Sequence, residues 1–401
     1  MSLNPPSRNS NVLILSFSQA IALSGASIVV LLGGLIGRET APSPTLATLP
    51  ISLMVVGVAF SSIPAAFLMQ RIGRRRGFMA AATTAIIAAL LATYAVAVGS
   101  FTLFCLSTLL LGATNAFVQQ YRFAAAESVS PERVGQAVSY VLLGGIVAGV
   151  IGPELAKRAS NWLPYGIYTG SFASLALLYL AVLLLMVFYK DSARQELATS
   201  GETRPLQKII AQPEFIVAVL AAAVGYGVMS YIMTATPVNM QTTYGFVLGQ
   251  TTIVIQSHVL GMYIPSLFSG WLIARLGVKR LMLIGVGVML VCMVLALAGV
   301  SFMHFWGALV MLGIGWNFMF VGGTTLLTST YRPSERFKAQ AVNDFSVFGI
   351  QAFASLSAGT VIYLADWNTM ILSTLPFLLM VLAAILWMHR LQVRGSLKAL
   401  A

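Results

Sequence analysis

Twelve runs of apolar residues, each long enough to cross a bilayer, constrain this chain more than any other feature. A helix traversing the hydrocarbon core needs about 20 apolar residues. Runs of that order fall at 11–37, 46–69, 77–98, 101–124, 136–156 and 164–189, then at 214–236, 250–274, 280–299, 303–328, 340–364 and 369–388. They are continuous, without the alternation of a barrel strand, so helices are the remaining way to satisfy the backbone in lipid. Composition agrees: 8% of the 401 residues are charged and 58% are hydrophobic, where a soluble domain carries about 25% charge. A soluble fold, a disordered chain and a disulfide scaffold are excluded. Cys105 and Cys292 both lie inside apolar runs. The run at 11–37 exceeds the roughly 7–15 apolar residues of a cleavable signal and is read as the first span. The expected fold class is an all-α integral membrane protein with twelve transmembrane helices.

The formal charge of +12 would suggest nucleic acid in a soluble protein, but the placement of the cations decides otherwise. With a cytoplasmic N-terminus, 20 of the 23 Lys and Arg fall on the inner side, leaving Arg38, Lys157 and Arg158 outside. That is the positive-inside bias of a membrane protein with both termini cytoplasmic. No nucleic-acid partner is expected; the partner is the lipid bilayer, in a bacterial inner membrane.

The longest polar interruption, 190–212, mixes both charge signs with Ser, Gly and Pro, a linker composition. It divides the chain into six-span halves at 1–189 and 213–401. The halves repeat. Gln70-Arg71-Ile72-Gly73-Arg74-Arg75-Arg76 follows span two and Ala274-Arg275-Leu276-Gly277-Val278-Lys279-Arg280 follows span eight, with Gly73 and Gly277 204 positions apart. Gln136-Ala137-Val138 and Gln340-Ala341-Val342, and Gly145 and Gly349, keep that offset. Repeats of six spans enter the membrane in the same orientation, related by an axis along its normal, with the substrate site between them near the midplane.

Twelve spans, a central linker and these loops resemble the major facilitator superfamily of secondary transporters. The family's loop motif, Gly-x-Leu-Ala-Asp-Arg-x-Gly-Arg-Arg, is matched at Leu68, Arg71, Gly73, Arg74 and Arg75, with Ala66 and Gln70 replacing its first Gly and its Asp. The second copy keeps Gly270, Leu272, Arg275 and Gly277. The resemblance implies two six-helix bundles related by a pseudo-two-fold axis, alternating access, and a gating role for Gln70, Arg71, Gly73, Arg74, Arg275 and Gly277. Topological anchoring by the cations is the competing role. Gly144-Gly145-Ile146-Val147-Ala148-Gly149-Val150-Ile151-Gly152-Pro153 in span five resembles the antiporter motif of that family and implies export, although glycines also serve helix packing.

The resemblance also assigns spans one, four, seven and ten to the cavity. Asn115, Gln119 and Arg122 form an i, i+4, i+7 stripe on span four, where Arg122 is also placed to snorkel. Gln19, Tyr226, Ser230, Trp316 and Asn317 are the further cavity candidates. The titratable candidates for ion coupling are His258, Glu154 and Asp344. No Gly-Lys dipeptide, His-Glu-x-x-His or Gly-x-Ser-x-Gly occurs, so ATP-driven transport and these hydrolase chemistries have no support. The expectation is a non-enzymatic carrier, monomeric and without cofactor or metal, for a small organic solute. Proton-coupled export and uptake of a metabolite stand as its alternatives, and a receptor or channel as the rival class.

Overall fold

The computed structural model describes residues 9–129, 134–191 and 203–400. It is built of helices, and no strand occurs among the described residues. Eleven helical segments are long and apolar enough to cross a membrane. A further helix, Val134–Arg158, occupies the expected place of span five. The first half comprises span one (Asn9–Thr40), span two (Leu49–Ile72), span three (Arg74–Ala97), span four (Phe101–Val118 and Tyr121–Glu127), span five and span six (Thr169–Phe188). The second comprises span seven (Pro213–Thr242), span eight (Leu248–Tyr263 and Ser266–Leu276), span nine (Val278–Ala298), span ten (Phe302–Thr328), span eleven (Arg336–Leu364) and span twelve (Trp367–Leu372 and Leu375–Leu400). Of the linker stretch 190–212, the described part holds a short helix, Leu206–Ile210.

The duplication expected from sequence is visible in three dimensions. Spans one and five, two and four, and three and six pack together in the first half. Spans seven and eleven, eight and ten, and nine and twelve do so in the second. The repeated loops share one backbone geometry: Gly73 has φ 85° and ψ 157°, and Gly277 has φ 80° and ψ 157°. Only glycine takes that conformation without strain, so both copies turn from one span into the next at the same residue. Gly57 and Gly261, also 204 apart, repeat a close helix crossing. A β-carbon would lie 2.3 Å from the Leu109 carbonyl oxygen at Gly57, and 2.9 Å from that of Val310 at Gly261. Where hydrophobic driving force between helices is absent, such close backbone approach is a main source of cohesion.

Three spans expected as continuous helices are interrupted. Span eight breaks at Ile264–Pro265, because a proline has no N–H for the preceding turn and its ring crowds the carbonyl four residues back. Span twelve breaks at Ser373–Thr374, just before Pro376. Span four has no proline; it tightens at Gln119–Gln120, where the Gln120 amide bonds the carbonyl of Phe117, three residues back.

The two halves meet through spans two and eleven, five and eight, and one and seven. The contacts concentrate away from the face that carries the termini. There Ser52 and Ser355 share a 3.0 Å hydrogen bond, and Thr234 bonds Ser355 at 3.0 Å. Gln256 donates to the Val150 carbonyl at 3.3 Å. Gly34 abuts Val238 and Gly359 abuts Thr48. On the terminal face several polar ties run within one half. Asn11 bonds Ser128 and the Lys190 carbonyl, Arg75 bonds Asp191, and Gln392 bonds Glu214. Gly270, near that face, and Gly349, halfway along span eleven, have open space where a side chain would be. The described hydrogen bonds between the halves thus lie on the face opposite the termini.

Candidate functional site

The middle of the second half carries a run of aromatic side chains facing the first half. Trp316 and Phe320 are one helical turn apart on span ten, so they share a face. Their rings lie 5.2 Å apart with planes 12° from parallel. Tyr226 of span seven stands nearly perpendicular to both, at 5.0 and 5.1 Å, and reaches Phe348 of span eleven at 5.7 Å. Tyr263, the last residue before the break in span eight, closes on Trp316 at 6.2 Å. Tyr226 and Trp316 each lie about 20 Å from the ends of their helices at about 1.5 Å per residue. The group is thus at mid-depth, where a site between two repeats is expected.

One cation from the first half joins it. Arg122, just past the tightened turn of span four, holds its guanidinium 5.9 Å from the centre of the Phe320 ring, a cation–π placement. It interacts electrostatically with Tyr226, Tyr263 and Asp344. Asp344 accepts a 3.0 Å hydrogen bond from Asn343. Arg122, Tyr226, Tyr263, Phe320 and Asp344 are half-buried, so they front open volume. Trp316 is buried, and its indole N–H has no hydrogen-bond partner. An enclosed donor left unpaired costs about 1–3 kcal/mol.

The remaining sequence candidates disperse. Gln119 sits at the break in span four, whereas Asn115 lines a narrow cleft with Gly25, Met54, Leu111 and Tyr179, inside the first half. The stripe of span four is therefore divided between two surroundings. Gln19 is buried on span one, its side-chain oxygen unpartnered. Ser230 is buried one turn from Thr234 and accepts a long 3.5 Å bond from Gln351, next to the seam between the halves. Asn317 is buried and committed to the break in span eight. It donates to the Met262 carbonyl at 2.7 Å and to the Ser266 hydroxyl at 2.5 Å, and accepts from Ser269 at 3.0 Å.

The titratable candidates separate in the same way. Glu154 forms an exposed i, i+4 pair with Arg158 at 2.6 Å, on the face opposite the termini. His258 is enclosed between spans eight and ten, with Nδ1 2.7 Å from the Leu309 carbonyl. A carbonyl only accepts, so Nδ1 carries the hydrogen and donates it. Asp344 alone of the three borders the aromatic group.

In the gating loops, Arg71 and Arg275 are exposed and Arg74 is buried. Arg275 stacks over Trp271 at 4.6 Å. The Gln70 side chain lies outside the described residues. A carboxylate is nonetheless present: Asp191, past the end of span six, accepts from the Arg75 amide at 2.9 Å in the first turn of span three. The Gly-rich stretch of span five is occupied in packing. Gly144 and Gly152 meet span one, while Gly145 and Gly149 meet Tyr263 and Val259 of span eight. Sequence reasoning missed Tyr263, Phe320, Phe348 and Asp191. Phe320 had an available signal, its i+4 spacing from Trp316; the others are brought in by helix breaks and by tertiary packing.

Known proteins resemble this chain in sequence and fold. The family model described as Major Facilitator Superfamily matches residues 13–262 and 218–399. The riboflavin transporter RfnT of Brucella anthropi is 38% identical over 388 residues, covering 96% of this chain and 97% of that protein. The uncharacterized MFS-type transporter YdeG of Bacillus subtilis is 30% identical, covering 82% of this chain and 80% of that protein. Among solved structures, a bacterial homolog of the human lysosomal transporter Spinster, described as inward-facing and unoccupied, superimposes with a TM-score of 0.68. It is 15% identical and covers 97% of this chain and 98% of its own, a likeness of fold.

Proposed function

The chain belongs to the major facilitator superfamily and is a non-enzymatic membrane transport protein; on that premise we propose that its solute is riboflavin or a closely related flavin. The observation that carries this reading is the mid-depth wall formed by Trp316 and Phe320, with Tyr226 upright beside it and Arg122 at its edge. A flat tricyclic ring with carbonyl and ring-nitrogen acceptors matches that surface. It stacks on the aromatic faces, while Arg122 supplies donors to its polar edge. The 38% identity to a riboflavin transporter over nearly the whole chain supports the same solute.

Alternating access follows from the seam. With both termini cytoplasmic, in a bacterial inner membrane, the face with the seam is external and the conformation is inward-open. The cavity lies between two halves of one chain, so a monomer completes it. Asp344 is the titratable group beside the cavity and is the proposed site of proton coupling. Glycine packing accounts for span five, so the geometry favours neither direction. Net flux follows the imposed gradients. The test is a titration of riboflavin fluorescence with the purified protein in detergent. Saturable quenching that is lost in Trp316→Ala supports the reading, and absence of quenching by intact protein refutes it.

A further inference from the structure

Away from the aromatic group, the first half carries a groove on its outer surface. Pro64 and Leu68 of span two, Ala80 and Thr84 of span three, and Ala113 and Phe117 of span four line a space of about 200 Å³. It exists because spans three and four turn mostly small side chains toward it, and because Pro64 sits inside span two without an N–H for the preceding turn. Thr84 gives its hydroxyl to the Ala80 carbonyl at 3.0 Å, and Thr114, which also lines the space, gives its own to Leu111 at 2.8 Å. The lining is therefore apolar apart from Ser61 at its inner end. Phe67, Ile87 and Leu106 are exposed on the same three helices. Each lies three or seven residues from a lining residue, hence on the same helix face. Large exposed apolar side chains on membrane-crossing helices face lipid, so the groove opens to the bilayer.

Two cations stand at the mouth of this groove, on the terminal face. Arg71 continues the line of Pro64 and Leu68 along span two, and Arg76 precedes Ala80 by one turn on span three; both are exposed. Only the turn at Gly73 separates the two helices, so their ends adjoin. Neither Arg71 nor Arg76 has a hydrogen-bond or ion-pair partner among the described residues. Arg75 turns instead to span six, where it bonds the Val187 carbonyl, and its amide occupies Asp191 at 2.9 Å. At about 1.5 Å per residue, the lining runs from roughly 5 to 15 Å below the two arginine positions. We infer that this groove binds an anionic phospholipid from the leaflet on the terminal face, its phosphate held by Arg71 and Arg76 and one acyl chain laid between spans two, three and four. Guanidinium groups hold phosphate oxygens through charge-assisted hydrogen bonds. Lipid tails are as apolar as the groove, so the chain contributes packing rather than hydrophobic transfer. The choice among lipids therefore falls to headgroup charge. A zwitterionic lipid brings its own cation to the two arginines and gains less.

The test is native mass spectrometry of the purified full-length protein, titrated with phosphatidylglycerol or with phosphatidylcholine of the same chains. Each cation near the surface is worth about fivefold, so the first phosphatidylglycerol should bind roughly 30-fold more tightly than the first phosphatidylcholine. Replacing both cations, Arg71→Gln with Arg76→Gln, should bring that ratio to within about threefold. Thr84→Trp fills the groove and keeps both cations, and it should lose the tight first adduct. Lys157→Gln with Arg158→Gln, on the opposite face, should leave the ratio unchanged. Should the double arginine variant fold poorly, Arg76→Gln alone should cut the ratio by about fivefold, and the wild-type ratio stands without any variant. Equal affinities for the two lipids in the wild type, or a preference that survives loss of both arginines, would overturn the inference. A folded Thr84→Trp protein that binds phosphatidylglycerol as tightly as the wild type would overturn it too, since surface charge alone would then hold the lipid.

Discussion

The seam opposite the termini can be forced open at one glycine. Gly359 is buried near the outer end of span eleven, where a β-carbon would lie 2.1 Å from the Thr48 hydroxyl and 3.2 Å from the Thr45 carbonyl oxygen. The hydroxyl belongs to a buried, β-branched residue at the start of span two, and the carbonyl belongs to the backbone. Neither can retreat far, so Gly359→Val must push spans two and eleven apart. Overpacking of this kind costs about 1–3 kcal/mol. It falls on the conformation in which the outer ends touch, and an outward-open state escapes it. The inward-to-outward population ratio should therefore drop by roughly 5- to 150-fold, at about 1.4 kcal/mol per tenfold. Spin labels on Pro42→Cys and Asn368→Cys, both exposed on that face, would report it as a longer outer-face distance in a protein whose buried Cys105 and Cys292 are replaced. Adding Thr48→Ala should restore part of the short-distance population, since it removes the nearest obstacle. A folded Gly359→Val protein with an unchanged distance distribution would refute the seam as described.

Three further predictions follow from named contacts. Trp316→Ala or Phe320→Ala removes half of the aromatic wall, and riboflavin affinity should fall by roughly 5- to 150-fold, the effect of about 1–3 kcal/mol of stacking; a change under twofold in both variants would place the ring elsewhere. Asn317→Ala strips the Met262 carbonyl and the Ser266 hydroxyl of their donor and removes one of two acceptors of Ser269, at about 1–3 kcal/mol. It should lower the Tm in detergent while riboflavin affinity holds, and the opposite pattern would return Asn317 to the binding surface. At the start of span eleven, Glu335 receives Arg204 at 2.7 Å together with the Arg204 and Arg332 amides. The Arg204 guanidinium, foremost, holds the Glu335 carboxyl well below the usual carboxylate range. A depressed folded-state pKa means stability that is present above about pH 4.3 and lost as pH falls further. Wild-type thermal stability should decline on acidification below that point, and Glu335→Gln should start lower and show a flatter decline; parallel curves would contradict the pair's role.

Much of the fold was legible because a membrane leaves few alternatives: continuous apolar runs must be helices, and a 204-residue offset must recur in space. Gly73 and Gly277 show how far this goes, since identity at two positions goes with backbone angles within 5° of each other. The site was legible only in part. Tyr226, Trp316 and Arg122 were named from sequence because polar or aromatic residues at mid-span are conspicuous. Asn317 looked equally conspicuous, yet it satisfies carbonyl and hydroxyl groups at the proline break in span eight. No sequence pattern separates a side chain that serves a broken helix from one that serves a ligand, because both need the same donors. The stripe Asn115, Gln119, Arg122 assumed an unbroken helix, and the tightened turn at Gln119–Gln120 divides it. Asp191 was invisible for another reason: it supplies a carboxylate to span three across 116 residues of chain.

Flux measures the central claim most directly. Proteoliposomes preloaded with unlabelled riboflavin and diluted into a trace of radiolabelled riboflavin should accumulate label transiently above equilibrium, because a carrier exchanges solute through alternating access. The overshoot should saturate with riboflavin and vanish in Trp316→Ala. Intact, correctly inserted protein that gives no overshoot, or a riboflavin flux that rises without saturation, would contradict the account.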